Sequence, residues 1–230
     1  LGVRRQRQMC IRDRISSLGD TLYELNSNGE LIPELASGMP IISKDRLKIV
    51  INLRKNVFFH DGTSFNSNAI KFTFDRFKRI GTMNYILGNK IKSIETPSEY
   101  SVIINLNKPS SSINGLLTSV NLTPISPTFY QEYSDKFLNE KFVGTGKYVL
   151  SSFSNEVQSI DPNLNYWGEK PLNEGIDFVG YSNSSSLFGA LKSKQIDVLL
   201  SNSIDDSQRK SLNNLSLSLI HISEPTRPIH

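Results

Sequence analysis

Between residues 47 and 80 the chain changes its hydrophobic period, and that change restricts it to folds in which a half-buried strand leads into a packed helix. Leu47, Ile49, Ile51 and Leu53 fall on one face of an extended segment, with Lys48, Val50 and Asn52 on the other. Lys55-Asn56 reads as a turn, because asparagine tolerates the left-handed backbone region, and residues 57–59 resume the extended pattern. Asp61-Gly62-Thr63 turns the chain again. Asn66 is then placed to cap a helix reaching about Ile80, whose apolar stripe is Ile70, Phe74 and Phe77 at i, i+4 and i+7.

The remainder alternates short extended and helical segments. Residues 20–25 read as a short strand or helix end, followed by the turn chemistry of Asn26-Ser27-Asn28-Gly29. Pro33 limits regular pairing in 31–37. Strands are expected at 91–94 and 101–106, joined across Pro97-Ser98-Glu99, with Lys108-Pro109 ending the second. Helices are expected at 112–119 and at 128–138, the latter with Phe129, Tyr133 and Phe137 on one face. Tyr148, Val149 and Leu150 open a hairpin that returns through 157–160. A strand at 176–181, a helix at 186–193 and a strand at 196–200 form a strand–helix–strand unit, the signature of a parallel sheet. Hairpins in the middle and α/β character in the last third suggest two lobes.

Charge would point to nucleic acid or a membrane surface if it were spread over the fold, since the formal charge is +4 and the pI about 9.1. It is not. Arg4, Arg5, Arg7, Arg12 and Arg14 lie within the first 14 residues against Asp13, and residues 15–215 are formally neutral. The ends also hold Cys10, His221 and His230, leaving a cysteine-free body with His60 alone. RQRQMCIRDR (5–14) and LSLIHISEPTRP (217–228) resemble translated sequencing-adapter DNA, so residues 1–14 and 216–230 are expected to be artefactual and are set aside. No apolar run reaches the length of a membrane-spanning helix.

Four ordered stretches carry a family resemblance: LYELNSNGELIPELASG (22–38), LRKNVFFHDGTSFNSNAIKFTFDRF (53–77), VGTGKYVL (143–150) with NLNYWGEKP (163–171), and ALKSKQIDVLL (190–200). Together they resemble the peptide/nickel solute-binding proteins of ABC transporters, extracellular solute-binding family 5. The chain departs from that pattern where the family usually has Trp near Met39, Gly at Asn56, Pro at Ser64 and Lys147, and Gly at Lys194. The resemblance implies an α/β, periplasmic-binding-protein-like fold of class II, two-lobed and closing on its ligand by a hinge. It implies a first lobe built from 15–30 and 126–215, a β-rich subdomain inserted at 31–125, and a C-terminal lobe that is missing. It also implies a non-enzymatic receptor, periplasmic or on the outer face of the cytoplasmic membrane. Such a receptor would deliver a peptide or another small solute, such as a nickel chelate, to ABC transporter permease subunits. Membrane association would come only through the transporter or a missing N-terminal anchor. The alternative is a ligand-sensing domain of a regulatory protein.

Motifs that could carry chemistry have simpler readings. His60-Asp61 lacks the further ligands a metal site needs. Gly144-Thr145-Gly146 precedes a strand, so it reads as a turn and not a phosphate cradle. Asp205-Asp206 reads as a solvated or capping pair, no G-x-S-x-G sequence is present, and neither cofactor nor metal nor nucleic acid is expected. Tyr166 and Trp167 are expected in the core. The ligand-binding candidates are Asn84 and Tyr85, then Asn121, Leu122 and Thr123, in segments resembling the family's cleft-facing loops. Ser201 and Asn202, after a presumed parallel strand, complete the set.

Overall fold

The computed structural model describes residues 16–80, 90–110, 113–132, 141–154, 156–198 and 207. They fall into two compact units, one ending at Phe178 and the other beginning at Val179.

The first unit opens with a ribbon in which β1 (Tyr23–Leu25) pairs antiparallel with β2 (Leu31–Pro33). Asn26 Oδ1 closes the turn by accepting from the backbone N–H groups of Asn28 and Glu30, each at 2.9 Å. A four-stranded sheet follows in the order β3-β4-β6-β5, from Ile41–Ile42, Lys48–Asn52, Ser101–Leu106 and Ile91–Ser98. Its register sets Ile49 opposite Ile104 and Ile51 opposite Val102, and all four side chains are buried. The predicted alternation is therefore realised, with one face of β4 turned to the core.

β5 runs further than the sequence predicts. It passes through Pro97 to Ser98, and the turn is Glu99-Tyr100 instead of residues 97–99. A register shift between Glu95 and Ser98 accommodates a residue that has no N–H for the ladder.

Helix α1 (Ser67–Ile80) packs Ala69, Ile70 and Phe74 into the same core, with Phe77 partly buried beside them. Asn66 Oδ1 accepts from Asn68 N at 3.0 Å as the predicted cap, while Ser67 Oγ donates to the Ser98 carbonyl at 2.7 Å. The Ser67 bond fixes the helix start to the end of β5. Helix α2 (Ile113–Leu117) adds Leu116 and Leu117, and a 3₁₀ turn (Val120–Leu122) leads to α3 (Pro127–Glu132). Pro127 occupies the first helical position, where its missing N–H costs nothing. The predicted continuation of α3 through Tyr133 and Phe137 lies outside the described residues.

β7 (Tyr148–Phe153), β8 (Val157–Pro162) and β9 (Ile176–Val179) form a three-stranded sheet in that order. In the second unit, α4 (Ser184–Lys192) begins at Asn183, whose Oδ1 accepts from Ser186 N at 2.8 Å. It buries Leu187 and Leu191 against Tyr181, Phe188 and Ile196. The strand expected at 196–200 does not form over 196–198, and residues 199–200 lie outside the described set. Instead α4 ends in a tight cap: Lys194 adopts φ 60° and Gln195 N donates to the Ala190 carbonyl.

Candidate functional site

Several segments distant in sequence meet at one carboxylate. Asp20 is only 5% exposed. Its oxygens accept from Thr145 Oγ1 at 2.8 Å, from Tyr166 Oη at 3.0 Å and from Trp167 Nε1 at 2.8 Å. Its own N–H donates to Thr145 Oγ1 at 3.3 Å. Three donors converging on one buried carboxylate form a network that specifies geometry, because removing any member leaves a desolvated polar group. Burial, helped by the Asp20 charge, pushes the Tyr166 phenol up, so it remains a donor.

The glycines beside this hub allow close backbone approach. A Cβ on Gly144 would run into the Leu18 carbonyl oxygen, and one on Gly146 into the backbone of Leu18 and Gly19. Neither glycine has a positive φ among the described residues, so packing and not turn conformation requires them. His60 binds the same loop: its N–H donates to the Gly144 carbonyl at 2.9 Å, and its Nε2 lies 3.2 Å from the Gly146 carbonyl oxygen. Burial lowers the His60 pKa and favours the neutral ring. Asp61 accepts from Thr63 and from Ser126 Oγ, tying the turn to the N-terminus of α3. His60 and Asp61 thus serve as cross-links between segments.

Around Asp20 lies a second layer. Arg54 donates from Nε to the Glu34 carbonyl at 2.9 Å and lays its guanidinium over the Trp167 ring at 4.4 Å. Asp20 lies just outside the four family-like stretches, and Glu34 and Arg54 lie inside two of them without being singled out as site residues. The only local signal for Asp20 is its place just before the apolar-rich segment LYEL (22–25).

The predicted ligand-binding residues have separate fates. Asn84, Tyr85, Ser201 and Asn202 lie outside the described residues, and Asn121 is described only through its backbone in the 3₁₀ turn. Leu122 packs on the main core and lines an apolar interior cavity of about 10 Å³ with Ile70, Phe74 and Leu116. Thr123 is buried, its methyl group occupying the space a Gly19 side chain would need, and its Oγ1 has no hydrogen-bond partner. A larger open groove of about 380 Å³ is lined by His60, Asp61, Lys141, Phe129, Phe142 and Val149. It includes none of the predicted ligand-binding residues. Among the described residues no group of three acidic, histidine or cysteine side chains could hold a metal, and no helix is long and apolar enough to cross a membrane.

Sheets and helices in this arrangement define a protein of the periplasmic-binding class, represented here by part of the two-lobed fold. The mannopinic acid complex of the binding protein MoaA from A. tumefaciens R10 superposes with a TM-score of 0.81 at 19% identity, covering 90% of this chain and 43% of that one. NikZ from Campylobacter jejuni, in complex with Ni(L-His), superposes with a TM-score of 0.76 at 25% identity, covering 86% of this chain and 40% of that one. The chain belongs to the bacterial extracellular solute-binding proteins, family 5, whose profile (its middle region) matches residues 30–227. That range runs into the C-terminal segment set aside above. A Brucella ovis protein named as an ABC transporter peptide-binding protein is 28% identical over 186 residues, 77% of this chain and 34% of the relative. The chain thus spans about a third of that relative's length.

Proposed function

We propose that this chain forms part of the substrate-binding component of an ABC importer, acting outside the cytoplasm on a peptide or another small solute. The profile match over residues 30–227 is the observation that carries this reading. The names of the relatives define the solute classes: peptide for the Brucella ovis protein, a nickel–histidine chelate for NikZ and mannopinic acid for MoaA. The permease subunits of the importer are the protein partner.

The same proposal takes 31–125 as a β-rich insertion in a lobe made from 15–30 and 126–215. It places the solute against the loops at 84–85, 121–123 and 201–202. In the middle loop Thr123 is buried and Leu122 is partly buried against the main core. A chimera tests the function: residues 30–198 replace the matched segment of the Brucella ovis protein, and peptide uptake is measured in a host lacking its own peptide-binding protein. Uptake above background is expected. A folded, secreted chimera that supports no uptake of peptide or Ni(L-His) would contradict the reading.

A further inference from the structure

One carboxyl group beside the Asp20 hub has too few donors for its contacts. Glu34 follows β2 directly, and its Oε2 lies 2.7 Å from Thr21 N and 2.9 Å from Thr21 Oγ1. The same hydroxyl oxygen lies 2.7 Å from the carbonyl oxygen of Tyr23. A threonine hydroxyl carries one proton, so it cannot donate fully to both the Tyr23 carbonyl and the Glu34 carboxyl. A proton on Glu34 completes the set. The acid O–H then donates to Thr21 Oγ1, and the Thr21 hydroxyl donates to the Tyr23 carbonyl.

The charged and titratable groups around Glu34 favour the same state. Asp20, already saturated by three donors, and Glu24 on β1 both disfavour a further negative charge. Tyr166 is a neutral phenol bonded to Asp20, with Lys147 Nζ 5.9 Å from its ring centroid. Arg54, just after β4, bonds the backbone carbonyl of Glu34, not its carboxyl, and stacks on Trp167. Backbone bonds from Glu34 N to the Leu22 carbonyl and from Leu35 N to the Thr21 carbonyl hold the two segments side by side.

We propose that Glu34 is a proton-operated latch: protonated and neutral, it joins the end of β2 to Thr21 beside the Asp20 hub, and on losing its proton it sets a second buried charge near Asp20 and Glu24 that weakens this corner of the fold. Burial first, then Asp20 and Glu24, push its carboxyl up to about 8, against the Thr21 hydroxyl and N–H, which pull it down. The folded value lies above the ordinary 4.5, so the native state holds a proton that the unfolded chain gives up. The stabilisation is fully present below the unfolded value and is lost as pH rises towards about 8. For a protein working outside the cytoplasm, ambient alkalinity would be the signal.

The test uses the full chain and its Glu34→Gln variant, whose amide preserves the shape, accepts the Thr21 N–H through its oxygen and carries no titratable proton. NMR titration of the glutamate carboxyl carbons should show one resonance, assigned to Glu34, with a midpoint near 8. Urea unfolding at pH 6 and at pH 9 should show the unfolding constant rising at least about tenfold more in the wild type than in Glu34→Gln. A Glu34 midpoint below about 6 would overturn the proposal, as would equal pH dependence in the two proteins. If the variant fails to fold, the wild-type titration alone decides.

Discussion

The two units of this chain are held together by different means. Up to Phe178, buried side chains from Leu22 to Leu117 share one core, and hydrogen bonds at Asp20 join residues separated by 125, 146 and 147 positions. From Val179 onward the described contacts are local: Leu187 and Leu191 pack on Tyr181, Phe188 and Ile196, all within a short stretch of chain. The first unit is therefore expected to lose structure as a whole when its hub is broken. The second is expected to respond to changes in its own helix and cap.

The largest effect that could break this contrast is at Asp20. Asp20→Ala leaves the Thr145, Tyr166 and Trp167 donors buried without an acceptor, and urea unfolding should show a loss of at least about 3 kcal/mol. A loss below about 1 kcal/mol would mean the hub is incidental. Next is Gly146→Ala, whose added methyl meets the backbone of Leu18 and Gly19. A thermal melt should report a destabilisation of about 1–3 kcal/mol. The smallest change sharpens the contrast from the other side. Lys194 holds φ 60° at the end of α4, a conformation that costs an L-residue about 1 kcal/mol. Lys194→Gly should raise helix protection in amide exchange by about that amount and leave the first unit unchanged.

Much of the local structure was legible in the sequence because it rests on near neighbours. The alternation of Ile49 and Ile51, the cap at Asn66 and the stripe Ile70–Phe74–Phe77 are properties of short windows, and each forms as predicted. The turn at Asn56 was readable too, because asparagine tolerates the left-handed region it adopts, whereas the positive φ of Lys194 was not read from the sequence. Other features depend on contacts no window contains. Gly144-Thr145-Gly146 reads as a turn, yet its glycines serve the approach of a backbone more than a hundred residues away. Tyr166 and Trp167 read as core, and Tyr166 is buried, but both are also hydrogen-bond donors to Asp20. The failure at 196–200 has a different cause. Ile196 is apolar like a strand residue, but it follows the α4 cap and packs on that helix's core.

The Glu34 latch lies within the same network, so it links the proton inventory of one side chain to the stability of the larger unit. A flat pH response in the wild type would separate Glu34 from the hub while leaving the contrast between the two units intact.

Hydrogen exchange measured by mass spectrometry on the wild type and Asp20→Ala tests most directly whether the distant motifs form one structural body. The account predicts that protection falls together in residues 18–23, 57–65, 144–147 and 163–167, while residues 184–192 keep theirs. Loss confined to residues 18–23 would contradict it.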